Sequence, residues 1–130
     1  MIAVDTSAVI AILWNEPTAR RLEGRLLEAF PSVISAANVL ELQLLLLDVG
    51  AAPSSWAEVE TLFATYRIDS RPFDQFQLSL AREAALRFGK GRQKARLNYG
   101  DCFAYALAQS EGLPLLCVGD DFAQTDVEIA

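Results

Sequence analysis

At 130 residues the chain can build one domain with a real core, and 11 Lys and Arg against 17 Asp and Glu give it a net charge of −6. That balance argues against indiscriminate nucleic-acid binding, and the absence of histidine excludes the usual zinc sites, Ser-His-Asp triads and histidine acid–base pairs. A hydrophobic share of 52% and a mean hydropathy of +0.23 are high for so small a chain, which suggests apolar surface covered by a partner or a second copy.

In chain order, Ile2-Ala3-Val4 reads as a short buried strand ending at Asp5. Thr6-Ser7 follow, then an apolar helix from Ala8 to Trp14. No basic region precedes this first apolar run and Asp5 interrupts it, so no signal peptide is expected. Glu16-Pro17-Thr18 opens a second helix, with Leu22, Leu26, Leu27 and Phe30 at helical spacing until Pro31 stops it. Ser32-Val33-Ile34 is a second strand, and Ser35 is placed to cap a long helix from Ala36 to Val49. The Leu44–Leu47 run within it falls far short of the ~20 residues of a membrane span. A cytoplasmic protein is therefore expected.

A further helix runs to about Tyr66, and Arg67-Ile68-Asp69-Ser70 is a short strand. The next helix spans roughly Asp74 to Phe88 and ends at the Gly89-Lys90-Gly91 loop. Asn98 to Gly100 leads into a nearly apolar helix from about Asp101 to Ser110. Gly112-Leu113-Pro114 turns into a strand over Leu115–Val118, followed by Gly119-Asp120-Asp121-Phe122, and Val127-Glu128-Ile129 reads as a last edge strand. Cys102 and Cys117 sit in apolar company and read as small core residues. Short apolar strands alternating with helices predict an α/β fold, a single 1–130 domain of three α/β/α layers around a central parallel sheet. In such sheets ligands gather beyond the carboxyl ends of the strands.

Four acidic stations stand in or beside these apolar runs: Asp5, Glu41, Asp101 and the Asp120-Asp121 pair. Lys and Arg are scarce near all of them except Asp101, so local ion pairing does not explain them. Each has a plain structural reading. Asp5 can cap the helix that follows, although Thr6 or Ser7 can do so instead. Glu41 can lie on a solvated helix face, and Asp101 can be the third helical residue after an Asn98 cap. Asp120-Asp121 can be turn chemistry. Their joint occurrence at strand ends and helix starts points instead to a divalent-metal site. Mg²⁺ and Mn²⁺ take oxygen ligands, and such an ion neutralises phosphate charge and activates water without histidine. Thr6 and Ser7 hydroxyls are candidates to orient water around it.

The segments Ile2-Ala3-Val4-Asp5-Thr6-Ser7-Ala8, Glu41 on its apolar helix, Leu97-Asn98-Tyr99-Gly100-Asp101-Cys102-Phe103-Ala104-Tyr105-Ala106 and Leu115-Leu116-Cys117-Val118-Gly119-Asp120-Asp121-Phe122 resemble PIN-domain ribonucleases. They look most like the VapC toxins of bacterial type II toxin–antitoxin modules, over essentially the whole chain. The resemblance implies a Mg²⁺- or Mn²⁺-dependent endoribonuclease with Asp5 and Asp101 as principal metal ligands and Glu41 completing the site. It favours Asp121 as the fourth acid, with Asp120 as the alternative. It also implies a homodimer and a VapB-type antitoxin whose C-terminal segment occupies the groove near the acids.

Six basic residues share one window, Arg82, Arg87, Lys90, Arg92, Lys94 and Arg96, offset there by Glu83 alone. They read either as a solvated face or as an RNA-backbone track beside the site, with Arg87, Lys90, Arg92, Lys94 and Arg96 as the contacts. Two rival functions remain: a phosphatase with Asp5 as nucleophile, in which Ser7 stands where haloacid-dehalogenase-type enzymes place a second Asp, and a metal-free module that only binds an antitoxin-like peptide or RNA.

Overall fold

The structure, a computed structural model, describes residues 1–50, 54–91 and 95–130. Four strands, β1 (Ala3–Val4), β2 (Ser32–Ser35), β3 (Ile68–Arg71) and β4 (Leu115–Leu116), form one parallel sheet in the order β3-β2-β1-β4. Ala3 pairs with Val33 on one side and Leu115 on the other, so β1 lies at the centre. The helices are α1 (Thr6–Leu13), α2 (Ala19–Glu28), α3 (Ala36–Asp48), α4 (Ser54–Tyr66), α5 (Gln75–Phe88) and α6 (Tyr99–Glu111).

Alternation along the strands divides the interior in two. Ile2, Val4, Ile34 and Leu116 pack with Val9 of α1, Leu22 of α2, Leu42 of α3 and Val59 of α4. Ala3, Val33, Leu115 and Cys117 face the other way, onto Ala84 and Phe88 of α5 and Ala104, Tyr105 and Leu107 of α6. Both faces are therefore covered, which is why the strands read as unbroken apolar runs. This is the expected three-layer α/β/α arrangement. No helix among the described residues is long and apolar enough to cross a membrane.

Some boundaries differ from the sequence reading. The first helix begins at Thr6 because Asp5 is its cap. The second begins at Ala19, after Thr18. The final edge strand is reduced to one parallel bridge between Leu115 and Ile129, made by Leu115 N–H to the Glu128 carbonyl (2.8 Å) and Ala130 N–H to the Leu115 carbonyl (2.9 Å).

Candidate active site

The chain runs from β1 out to β2 and β3 on one side, then crosses back to place β4 on the other side of β1. The connections leaving the carboxyl ends of β1 and β4 part company there, which opens a crevice. Asp5 is the first residue beyond β1, α3 starts directly beyond β2, and Asp120-Asp121 follow β4. Asp5, Glu41 and Asp101 line one cleft of about 460 Å³ at this end of the sheet.

Asp5 is only 4% exposed and caps α1. Its backbone N–H donates to the Leu116 carbonyl (2.9 Å), and its Oδ2 accepts from the Ser7 N–H (3.0 Å) and the Ser7 hydroxyl (2.5 Å). The Ser7 hydroxyl oxygen in turn accepts from Val118 N–H (3.0 Å), which ties the start of α1 to the chain leaving β4. Burial lifts the Asp5 carboxyl from its ordinary 3.8 to about 6, the Ser7 hydrogen bonds oppose the rise, and the negative charges of Asp101 and Glu41 add to it.

Glu41 turns inward rather than onto a solvated face. Its Oε1 accepts from the Thr6 hydroxyl (2.6 Å) and from Asn38 Nδ2 (3.1 Å), and its carboxylate lies against Gly100 at the start of α6. Asp101 is the third residue of α6 and forms a reciprocal capping box with Asn98. Its Oδ2 accepts from Asn98 N–H (3.0 Å), while Asn98 Oδ1 accepts from Asp101 N–H (2.9 Å). Burial raises the Asp101 carboxyl above the usual carboxylate range, against its bond to the Asn98 backbone; Asp121 and Glu41 push it further up and Lys90 draws it down. The capping readings of Asp5 and Asp101 are thus realised, yet each cap occupies only one carboxylate oxygen.

Asp120 and Asp121 are both exposed, after a turn in which Gly119 adopts φ of 93°. Asp121 precedes a 3-10 turn, Phe122–Gln124, without capping it through its side chain, and acts electrostatically on Asp101. The Thr6 and Ser7 hydroxyls donate their protons to the Glu41 and Asp5 carboxylates. Cys117 is buried, and burial with Asp5 and Asp101 nearby lifts its thiol to about 11, so it supplies no thiolate at neutral pH.

The basic window separates into distinct environments. Arg87 pairs with Glu83 (3.3 Å) and Asp126 (3.2 Å) and lies over the Phe88 ring. Asp126 also accepts from the Tyr105 hydroxyl (2.7 Å) and Gln109 (3.1 Å). Lys90 is exposed and close enough to Asp101 to act on its charge, and Arg96 is exposed. Arg92 and Lys94 lie outside the described residues.

The donor set is all oxygen, as Mg²⁺ or Mn²⁺ requires. One oxygen of each acid is anchored: Asp5 Oδ2 by Ser7, Glu41 Oε1 by Thr6 and Asn38, and Asp101 Oδ2 by Asn98. The second oxygen of each has no hydrogen-bond partner among the described residues. No three of the acids already close into a ligand set there. Two contributors to the site escape the sequence reading: Asn38 and Gly100, which hold and accommodate Glu41. The available signal was an Asn three residues before an unpaired Glu, and a Gly in the first turn of the Asp101 helix.

A family model of the PIN domain matches residues 2–128. A Ribonuclease VapC of Mycolicibacterium smegmatis is 40% identical over 124 residues, covering 95% of each chain. Ribonuclease VapC36 of Mycobacterium tuberculosis is 40% identical over 126 residues, covering 96% of this chain and 90% of the relative. Among solved structures, the crystal structure of Mycobacterium tuberculosis VapC20, described as a sarcin-ricin loop cleaving toxin, superposes with a TM-score of 0.76 at 16% identity, covering 100% of this chain and 98% of that one. A toxin–antitoxin complex from Klebsiella pneumoniae contains a chain with a TM-score of 0.69 at 19% identity, covering 100% and 97%.

Proposed function

The chain belongs to the PIN-domain family and, within it, to the VapC ribonucleases; from that premise we propose that Asp5, Glu41, Asp101 and Asp121 form its hydrolytic centre, with Asp120 as the alternative fourth acid. Membership makes it an endoribonuclease toxin of a toxin–antitoxin system, which sets the phosphatase and the non-catalytic binding module aside. The observation that carries the assignment of Asp5, Glu41 and Asp101 is the division of labour within each of these three carboxylates: one oxygen is held by protein donors, and the other has no hydrogen-bond partner among the described residues.

Family members of this kind depend on a divalent metal, and the ion here is Mg²⁺ or Mn²⁺. When bound, it supplies neutralisation of phosphate charge and acidity for the attacking water. Asp5 and Asp101 are its principal ligands, and Glu41 and Asp121 complete the acidic ring. Ser7, Thr6 and the Asn98 backbone orient those carboxylates so that little reorganisation is needed when RNA arrives. Exposed Lys90 and Arg96 stand on the connection leading to Asp101 and guide the RNA backbone without reading its sequence. An RNA substrate places the activity in the cytoplasm.

An antitoxin is the protein partner, of VapB type, and a C-terminal segment of it occupies the cleft. The toxin itself is a homodimer. Both assignments are supported by α3, whose outer face exposes Leu40 (61%), Leu44 (55%) and Leu47 (61%) as a stripe at helical spacing. The deciding experiment is RNA cleavage by purified protein with Mg²⁺ or Mn²⁺, beside Asp5→Asn and Asp101→Asn. Loss of cleavage in both variants and in chelator is expected. Full activity in either variant, or cleavage without metal, refutes the proposal.

A further inference from the structure

Asn38 is fully buried in the first turn of α3. Its Nδ2 donates one hydrogen to Glu41 Oε1 (3.1 Å) and the other to the Gly100 carbonyl (3.0 Å). Both partners are acceptors only, so the orientation of the amide is dictated by its surroundings. The consequence is that Asn38 Oδ1 is left buried with no donor among the described residues. A residue chosen for packing alone would carry no such orphan, because an apolar side chain of similar volume avoids it. Asn38 therefore keeps an unfavourable atom in order to place two hydrogens.

Gly100 lies in the first turn of α6, where glycine weakens a helix. A Cβ added there would fall 1.6 Å from Glu41 Oε2 and 2.4 Å from Glu41 Cδ. The carboxylate thus occupies the space that any other residue would fill with its own Cβ. Swinging the Glu41 side chain aside would relieve the clash, but only by breaking its bonds to Thr6 (2.6 Å) and Asn38.

We propose that Asn38 and Gly100 are positioning residues that clamp α3 to α6 and thereby fix Glu41 beside Asp101. The role is distinct from ligating anything: Asn38 reaches from the Glu41 carboxylate to the backbone of the residue before Asp101, and Gly100 leaves the gap into which Glu41 fits. The benefit for catalysis rests on the ribonuclease reading above, whereas the steric coupling of Gly100 to Glu41 does not.

The test is a thermodynamic cycle in chelator: Gly100→Ala made in the native chain and again in a Glu41→Ala chain, each followed by thermal unfolding. Gly100→Ala is expected to lower the melting temperature of the native chain, and to leave it unchanged or raise it once the Glu41 carboxylate is gone. Equal shifts in the two backgrounds overturn the proposal. Because no RNA is involved, non-additive shifts in a protein that cuts no RNA would uphold the clamp while refuting the ribonuclease reading. Asn38→Leu supplies the kinetic arm. Its kcat is expected to fall roughly 10- to 100-fold, with KM for RNA within a few-fold of the native value. An Asn38→Leu protein with native kcat overturns the positioning role.

Discussion

Replacing Asp5 by Asn is expected to make the protein more stable at neutral pH and inactive. A native carboxyl titrating at about 6 rather than 3.8 binds its proton more tightly folded than unfolded. Folding stability therefore falls as pH rises from about 3.8 to about 6, and above that window the buried charge costs on the order of 3 kcal/mol. Asn carries no charge, and its Oδ1 can still accept from the Ser7 N–H and hydroxyl that now serve Asp5 Oδ2. Those two bonds weaken when the acceptor is neutral, which returns part of the gain. The net expectation at pH 7.5 is about 1–3 kcal/mol of added stability, or a rise in melting temperature of roughly 3–15 °C for a chain of this size. Thermal unfolding of the two proteins in chelator, from pH 4 to pH 8, is the assay. The gap should open through pH 4 to 6, stay level above, and shrink near pH 4. Added Mn²⁺ should stabilise the native protein and narrow it. A variant less stable than the native chain at pH 7.5, or a gap that ignores pH, refutes the reasoning.

Ser7→Ala removes the hydroxyl that donates to Asp5 and accepts from Val118 N–H, so it should destabilise by about 1–3 kcal/mol in urea unfolding. Because the Ser7 bonds hold the Asp5 carboxyl down, the acid limb of the pH–rate profile should also move to higher pH. Asp121→Asn should reduce cleavage at least tenfold more than Asp120→Asn, measured side by side at saturating Mn²⁺, since Asp121 is the one that acts on Asp101. Lys90→Ala should lower RNA affinity and flatten its salt dependence, whereas Arg87→Ala, removed from its pairing with Asp126, should shift the melting temperature and leave the salt slope unchanged.

Much of this architecture is visible in the bare chain because the strands are buried on both sides. Ile2 to Val4 and Leu115 to Cys117 are apolar at every position, with alternate residues entering opposite cores. Asp101 three residues after Asn98 is a local pattern and is realised as a capping box. The face presented by Glu41 is harder to read, since α3 defies ordinary amphipathic logic. It buries Asn38 completely while Leu40, Leu44 and Leu47 face outward, so apolar spacing points the wrong way. Asn38 and Gly100 meet across 62 positions, and Arg87 meets Asp126 across 39, separations at which spacing carries no information. The choice among Asp5, Thr6 and Ser7 as cap was open for a different reason. All three are chemically competent, and only the folded chain shows Asp5 capping, Ser7 supporting Asp5 and Thr6 committed to Glu41.

The sheet offers a last consequence. β1 and β4 are two residues each, and their pairing carries past its own end through Asp5 N–H to Leu116 and then Val118 N–H to the Ser7 hydroxyl. That hydroxyl works as a substitute rung, fastening a zip that backbone atoms alone would leave open. The proposed centre of reaction therefore sits on the tooth most prone to slip. Damage to the packing beneath it, too slight to unfold the molecule, should show first as slow exchange becoming fast at the Val118 amide, with cleavage failing in step while the distant helices stay intact.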